Sequence, residues 1–208
     1  MLKYRRVMAF ILDALFISII VIALSSNPRL NKGLDNEEAY LTAYNESIKN
    51  LVIDQTNPED IINQYKEGIG VQLYDMIKSQ TYRYVIFIIC VFLYYVVFVY
   101  FNDGKTLGCA LFKLRINNMN GSKANILNLT VRSLFMGSSF IYLIPIVSFI
   151  NLIIPRLYNY QIAFFPLLII TSISVLIEIV FYIYFFFSKK NMSIQDYLSH
   201  TKIIDTSK

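Results

Sequence analysis

Residues 7–24 read VMAFILDALFISIIVIAL, an apolar run interrupted only by Asp13 and Ser18. A bilayer core about 30 Å thick is crossed by roughly 20 helical residues, so this stretch predicts a membrane-spanning helix at the start of the chain. Three further stretches repeat the pattern. Residues 84–101 carry no charge at all, and residues 133–154 contain Gly137 and Pro145. That proline predicts a kink, because it removes a donor and clashes with the preceding turn. Residues 162–187 hold Glu178 as their single charge. The first run has a rival reading. Basic residues, an apolar core and Ala23-Leu24-Ser25 resemble a cleavable signal peptide, although the run is long for that role and contains a carboxylate.

The fold class that follows is an all-α membrane protein, a four-transmembrane-helix bundle. Its spans are residues 1–26, 81–101, 132–155 and 161–188, joined by an outer segment (27–80) and an inner loop (102–131) and followed by a tail (189–208). Composition agrees. Apolar residues make up 56% of the 208 positions and charged residues only 16%, against about 25% charged in soluble domains. An ordinary soluble enzyme and a disordered chain are both excluded. Two cysteines and one histidine exclude a disulfide scaffold, a four-thiolate zinc site and a multi-histidine metal centre. No catalytic triad, metal cluster or phosphate loop stands in the sequence. No enzyme, no cofactor and no metal is therefore expected.

Charge sets the orientation. With the N-terminus inside, the inner segments hold twelve of the nineteen basic residues and the long outer segment holds nine of the fourteen acids. The positive-inside rule then favours N-in, C-in. The net charge of +5 reads as leaflet bias rather than a nucleic-acid footprint, since no basic stripe carries interleaved aromatics. Cys90 and Cys109 are expected to stay reduced.

The outer segment is too long for a plain loop. Asp35-x-x-Glu38 reads as a capping box, and Tyr40, Leu41, Tyr44, Ile48, Leu51 and Val52 recur at helical spacing. Asn57-Pro58 reads as a second helix start, and Gly68 and Gly70 as its end. A helical extracytoplasmic insertion is one expectation and a solvated linker the other. The inner loop opens with Asn102-Asp103-Gly104, a turn signal. Alternating residues ahead of Asn120-Gly121 read as a hairpin, and Thr201-Lys202-Ile203-Ile204 is strand-like. A short cytoplasmic β-ribbon is expected there. The rival is an interfacial amphipathic helix over residues 107–114.

The residues that could carry chemistry are few. Asp13 follows Arg6 by seven positions, nearly two turns, which puts both on one helix face about 10 Å apart. A lone ionised carboxylate inside a bilayer must be protonated, paired or wet. Glu178 lies at a comparable depth on the last span, and two such acids facing one cavity could exchange a proton for a cation. Asp13, Arg6 and Glu178 are thus the ion-relay candidates. The structural alternative for Asp13 is a bridge to Arg6, Arg132 or a backbone amide. Arg132 marks the inner end of the third span as an anchor, Asp196 reads as an acid in a first helical turn, and His200 as a surface residue. Membrane aromatics such as Tyr94, Tyr95, Tyr100, Tyr182 and Tyr184 read as belt and packing.

Three segments together resemble the RDD family of bacterial integral membrane proteins. Arg6-Val7-Met8-Ala9-Phe10-Ile11-Leu12-Asp13 is similar to that family's arginine and "L-A-x-x-I-D". Gly104-Lys105-Thr106-Leu107-Gly108, with Leu111-Phe112-Lys113-Leu114-Arg115-Ile116 and Asn120-Gly121, resembles its "G-x-T-x-G-K … L-x-L-x-V … D-G" loop. Asp196-Tyr197-Leu198-Ser199-His200-Thr201-Lys202-Ile203-Ile204 resembles "D-x-x-A-G-T-x-V-V". The named arginine and aspartates would be Arg6, Asp13 and Asp196, with Arg132 matching a further arginine. The outer segment then looks like an insertion. Cys109 replaces the usual lysine, His200 the usual glycine and Gln195 a frequent histidine. The resemblance implies transport, for some members cation/proton antiport.

The expectation is therefore a multi-pass protein of the bacterial cytoplasmic membrane, transporting a small solute or monovalent cation with proton coupling. Arg132, Asp196, Gly104, Thr106 and Gly108 would clamp the inner loops. The alternative is a non-transporting accessory or immunity-type protein that binds a partner through the outer segment. The lipid bilayer is the expected partner, with a homo-oligomer or a membrane-protein partner beside it and no nucleic acid.

Overall fold

The computed structural model describes residues 2–30, 34–49, 70–135, 150, 153–154, 157, 160–188 and 192–207. The expected kink at Pro145, most of the third span and the helix after Asn57-Pro58 lie outside them. Among the described residues the chain is mostly helical. Among these residues two helices are long and apolar enough to cross a membrane: α1 (Leu2–Ser25) and α4 (Thr81–Phe101). Between them lie α2 (Leu34–Lys49) and α3 (Gly70–Ser79), which pack on each other. The second half follows as α5 (Leu107–Leu111), β1 (Leu114–Asn118), α6 (Ile126–Leu134), α7 (Tyr160–Phe187), α8 (Ile194–Leu198) and β2 (Thr201–Asp205).

The α1–α4 contact is the apolar core. Ile17 and Val21 of α1 pack with Phe87, Val91, Tyr94 and Tyr95 of α4. Over Leu93–Phe98 the ladder of α4 widens to a π-helical turn. Such turns favour functional sites. Here it lets three consecutive side chains, Tyr94, Tyr95 and Val96, all be buried. Val96 and Val99 then form a second cluster with Ile116, Ala124 and Leu129, which fastens α6 and β1 to the end of α4.

Beneath that end the two strands pair antiparallel, from Leu114 against Asp205 to Asn118 against Thr201. The partner of β1 is thus the tail, not the segment after Asn120-Gly121. That turn forms, with Gly121 at φ 90°, but it returns only a single bridge, Asn117 to Lys123. The chain then leaves the ribbon, because Asn125 caps Asn128 N and starts α6. This helix begins at Ile126, six positions before the expected start of the third span. The amphipathic helix expected over residues 107–114 ends at Leu111. Lys113 takes a positive φ of 54° and Leu114 enters β1.

Candidate functional site

Two buried carboxylates organise the ribbon end of the molecule. The first is Asp196. Ser193 and Asp196 form a reciprocal capping box at the start of α8, in which Asp196 Oδ2 accepts from Ser193 N at 2.7 Å. The same oxygen accepts from Arg6 Nη2 at 2.6 Å, and Oδ1 accepts from Arg132 Nη1. Arg132 also donates to Thr201 Oγ1 at 2.9 Å. Thr201 Oγ1 in turn lies 2.7 Å from Ser199 Oγ. The Arg6 guanidinium lies 5.0 Å over the Phe185 ring. Burial opposes ionisation of Asp196, but the guanidiniums of Arg132 and Arg6 outweigh it and hold the carboxyl below the ordinary carboxylate range. The centre ties α1, α6, α8 and β2 together and, among the described residues, sets two guanidiniums against one carboxylate.

The second is Asp13, 2% exposed. Tyr94 Oη donates to its Oδ1 at 2.6 Å and Gly108 N at 2.7 Å, while Thr106 Oγ1 donates to Oδ2 at 2.6 Å. The three donors belong to one construction. A helix leaves its first N–H groups without intrahelical partners. In α5 all three find one: Leu107 N donates to Tyr94 Oη at 3.0 Å, Gly108 N to Asp13, and Cys109 N to Thr106 Oγ1 at 2.9 Å. Its other end meets α1 eight residues earlier, where Arg5 Nε donates to Phe112 O at 2.9 Å. So α5 runs antiparallel along α1.

Glycine is required at the point of closest approach. A Cβ on Gly108 would strike the Ala9 carbonyl and come within 2.9 Å of Asp13 Oδ1. Gly104, at φ 75°, plays the corresponding part below. Its N–H bonds Val99 O at 2.8 Å, its carbonyl takes Ile116 N–H at 2.7 Å, and a Cβ would meet that residue's backbone.

The structure regroups the expected residues. Arg6, set beside Asp13 from helical spacing, has its carboxylate partner in Asp196. Thr106 and Gly108, set with the clamp, touch Asp13, while Arg132 and Asp196 meet each other. The backbone of α7 carries Glu178, but that side chain lies outside the described residues, so its pairing with Asp13 is not placed. Among the described residues no basic side chain reaches Asp13, and no three His, Cys, Asp or Glu gather where a metal could sit.

Sequence reasoning missed Tyr94, read as belt and packing, and Ser193, Ser199 and Thr201. For Ser193 the signal was available: Ser193-x-x-Asp196 fits a capping box. For Tyr94 there was none, because a π-helical turn leaves no mark in composition.

No curated protein and no solved structure matches the chain. Residues 51–200 match the profile of the RDD family. The match takes in residues 51–80, part of the segment read as an insertion, and leaves Arg6 and Asp13 before its start. It covers well over half of a chain already seen to hold two apolar helices of spanning length, and on that match the chain is a membrane protein belonging to the RDD family.

Proposed function

We propose that this RDD-family protein moves a small solute or monovalent cation across the bacterial cytoplasmic membrane, coupled to protons at Asp13. In this reading four spans cross with both termini inside, in keeping with the distribution of basic residues, and the ribbon lies in the cytoplasm.

The observation that carries the reading is the contrast between the two acids. Asp196 has two guanidiniums against it and cannot readily change charge. Asp13 is equally buried, yet its partners are two hydroxyls and a backbone amide. A buried carboxylate held only by neutral donors can take up a proton or a cation without leaving a bare cation behind. The site also joins features that recur where membrane proteins bind ions: a short helix start aimed at a negative group, a π-helical turn and an intramembrane acid. Protonation removes the charge that Gly108 N and the two hydroxyls hold. The hold of α5 on α1 and the charge of Asp13 are therefore linked. One proton leaves the carboxyl as one cation reaches the carboxylate.

The test is Asp13→Asn in proteoliposomes. Asparagine keeps an acceptor for Tyr94 and Gly108 and offers its amide to Thr106, so α5 stays capped. Proton-driven cation or solute flux should disappear while the variant keeps its melting behaviour. Flux that persists with an unchanged pH profile would refute the proposal.

A further inference from the structure

The last turn of α4 and the first turn of α6 lie side by side, because Ala124 and Leu129 pack with Val99 and Tyr100. Their outward side chains are large and apolar: Phe101 is 79% exposed and Leu127 75%. Two cations stand at the edge of this surface. Lys123 Nζ sits 5.1 Å over the Tyr100 ring, which also meets Phe101 edge to face at 5.5 Å. Arg115 projects from β1. The acid that meets them is Asp103, 3.4 Å from Lys123 and 3.7 Å from Arg115, on a carboxylate that is itself 69% exposed. Among the described residues Arg115 Nε is buried and has no acceptor.

Two positive charges face one exposed, loosely held negative charge, which leaves one positive charge unmatched. A phosphodiester carries one negative charge and several acceptor oxygens, enough to serve Arg115 and Lys123 together. Acyl chains would cover Phe101 and Leu127. The exposed apolar side chains of α4, among them Ile89, Phe92, Leu93 and Phe98, bring the bilayer up to this shelf, so a lipid fits it better than a soluble acidic partner.

We propose that the shelf formed by Phe101, Leu127, Arg115 and Lys123 binds an anionic phospholipid, with the phosphate between the two cations and the acyl chains along the two apolar side chains. Asp103 is then the competitor that the headgroup displaces.

The experiment is native mass spectrometry of the detergent-solubilised full chain, titrated with phosphatidylglycerol or phosphatidylcholine. Retention of phosphatidylglycerol should exceed that of phosphatidylcholine. Lys123→Ala should lower it about fivefold, the effect of one basic residue at an anionic membrane surface, and Asp103→Asn should raise it. The chain has no tryptophan, so Phe101→Trp supplies a single probe, which brominated acyl chains should quench in nanodiscs. Equal retention of the two lipids, or a Lys123→Ala variant indistinguishable from the parent, would overturn the proposal. Quenching of Phe101→Trp without a headgroup preference would reduce the shelf to plain bilayer contact. Inorganic phosphate competing as well as the lipid would overturn the assignment to a lipid.

Discussion

Replacing Asp196 with asparagine isolates what one charge contributes to the ribbon end. Asparagine has nearly the same volume and keeps an acceptor for Ser193 N–H, so the cap of α8 survives. The change removes the negative charge shared by Arg6 at 2.6 Å and by Arg132. Those arginines are 6% and 4% exposed, so neither guanidinium recovers full hydration. Breaking a buried pair by deleting one partner costs about 3–5 kcal/mol, because the remaining charge stays buried. Here one anion serves Arg132 and Arg6 together, so the expected loss falls in that range. The control is Asp205→Asn. That acid pairs with Arg5 at 2.6 Å, but both side chains are partly open to solvent, and a much smaller loss is expected. The assay is equilibrium unfolding of the full chain in mixed micelles, repeated across pH. The Asp196 carboxyl is lowered in the fold, so its contribution is complete above the ordinary carboxylate pKa of about 4 and disappears as pH falls below it. The parent should lose stability through that window and Asp196→Asn should lose less. Adding Arg132→Met to Asp196→Asn should restore part of the loss, since it removes one of the stranded charges. A loss below about 1 kcal/mol, the range of solvent-exposed pairs, would refute the buried-triad reasoning.

Gly108→Ala should push α5 off α1, because the added carbon meets the Ala9 carbonyl. The Cys109 thiol, buried and with its pKa pushed up by burial, should change from resistant to reactive toward alkylation, measured in a Cys90→Ser background. Thr106→Val removes a donor to Asp13 and the acceptor for Cys109 N–H while keeping the shape. Leaving such groups unsatisfied costs about 1–3 kcal/mol each, read by the same unfolding assay, and Thr106→Ser should recover most of it.

What could be read from the sequence follows from how local each signal is. Asp13 stands out because a carboxylate in an apolar run needs a reason, and Gly104 because Asp-Gly signals a turn; Gly108 is marked only by the family resemblance, and its close approach to Ala9 shows only in the fold. The partners were harder. Helical spacing puts Arg6 and Asp13 on one face, but a shared face does not name a partner. Arg6 finds its partner 190 residues away, in α8. The Asn120-Gly121 turn predicts a closed hairpin. The turn is real, yet the register of β1 is set by the tail, whose Ile203 packs with the clusters around Ile116 and Leu114. Long-range pairing of this kind is decided by which apolar faces remain to be covered after the helices have packed, and no window of the sequence carries that. The start of α6 was missed for a smaller reason. Asn125 is one of several asparagines in the loop, and only its cap onto Asn128 N distinguishes it.

The two acids also constrain each other. Among the described residues the centre at Asp196 sets two arginines against one aspartate, and Asp13 supplies one negative charge when ionised. Arg6 and Asp13 lie seven residues apart on α1, about 10 Å along the axis. At an effective dielectric near 20 a pair of unit charges at that distance interacts by about 1.7 kcal/mol. This is too weak to act as a bond. It is still more than a tenfold bias on an equilibrium, since about 1.4 kcal/mol is tenfold. Neutralising Asp13 therefore removes that attraction to Arg6 and, in the same step, the charge that the Gly108 amide and the two hydroxyls hold. If Asp13 changes charge as proposed, the helix that carries both Arg6 and Asp13 makes that change felt at the Asp196 centre.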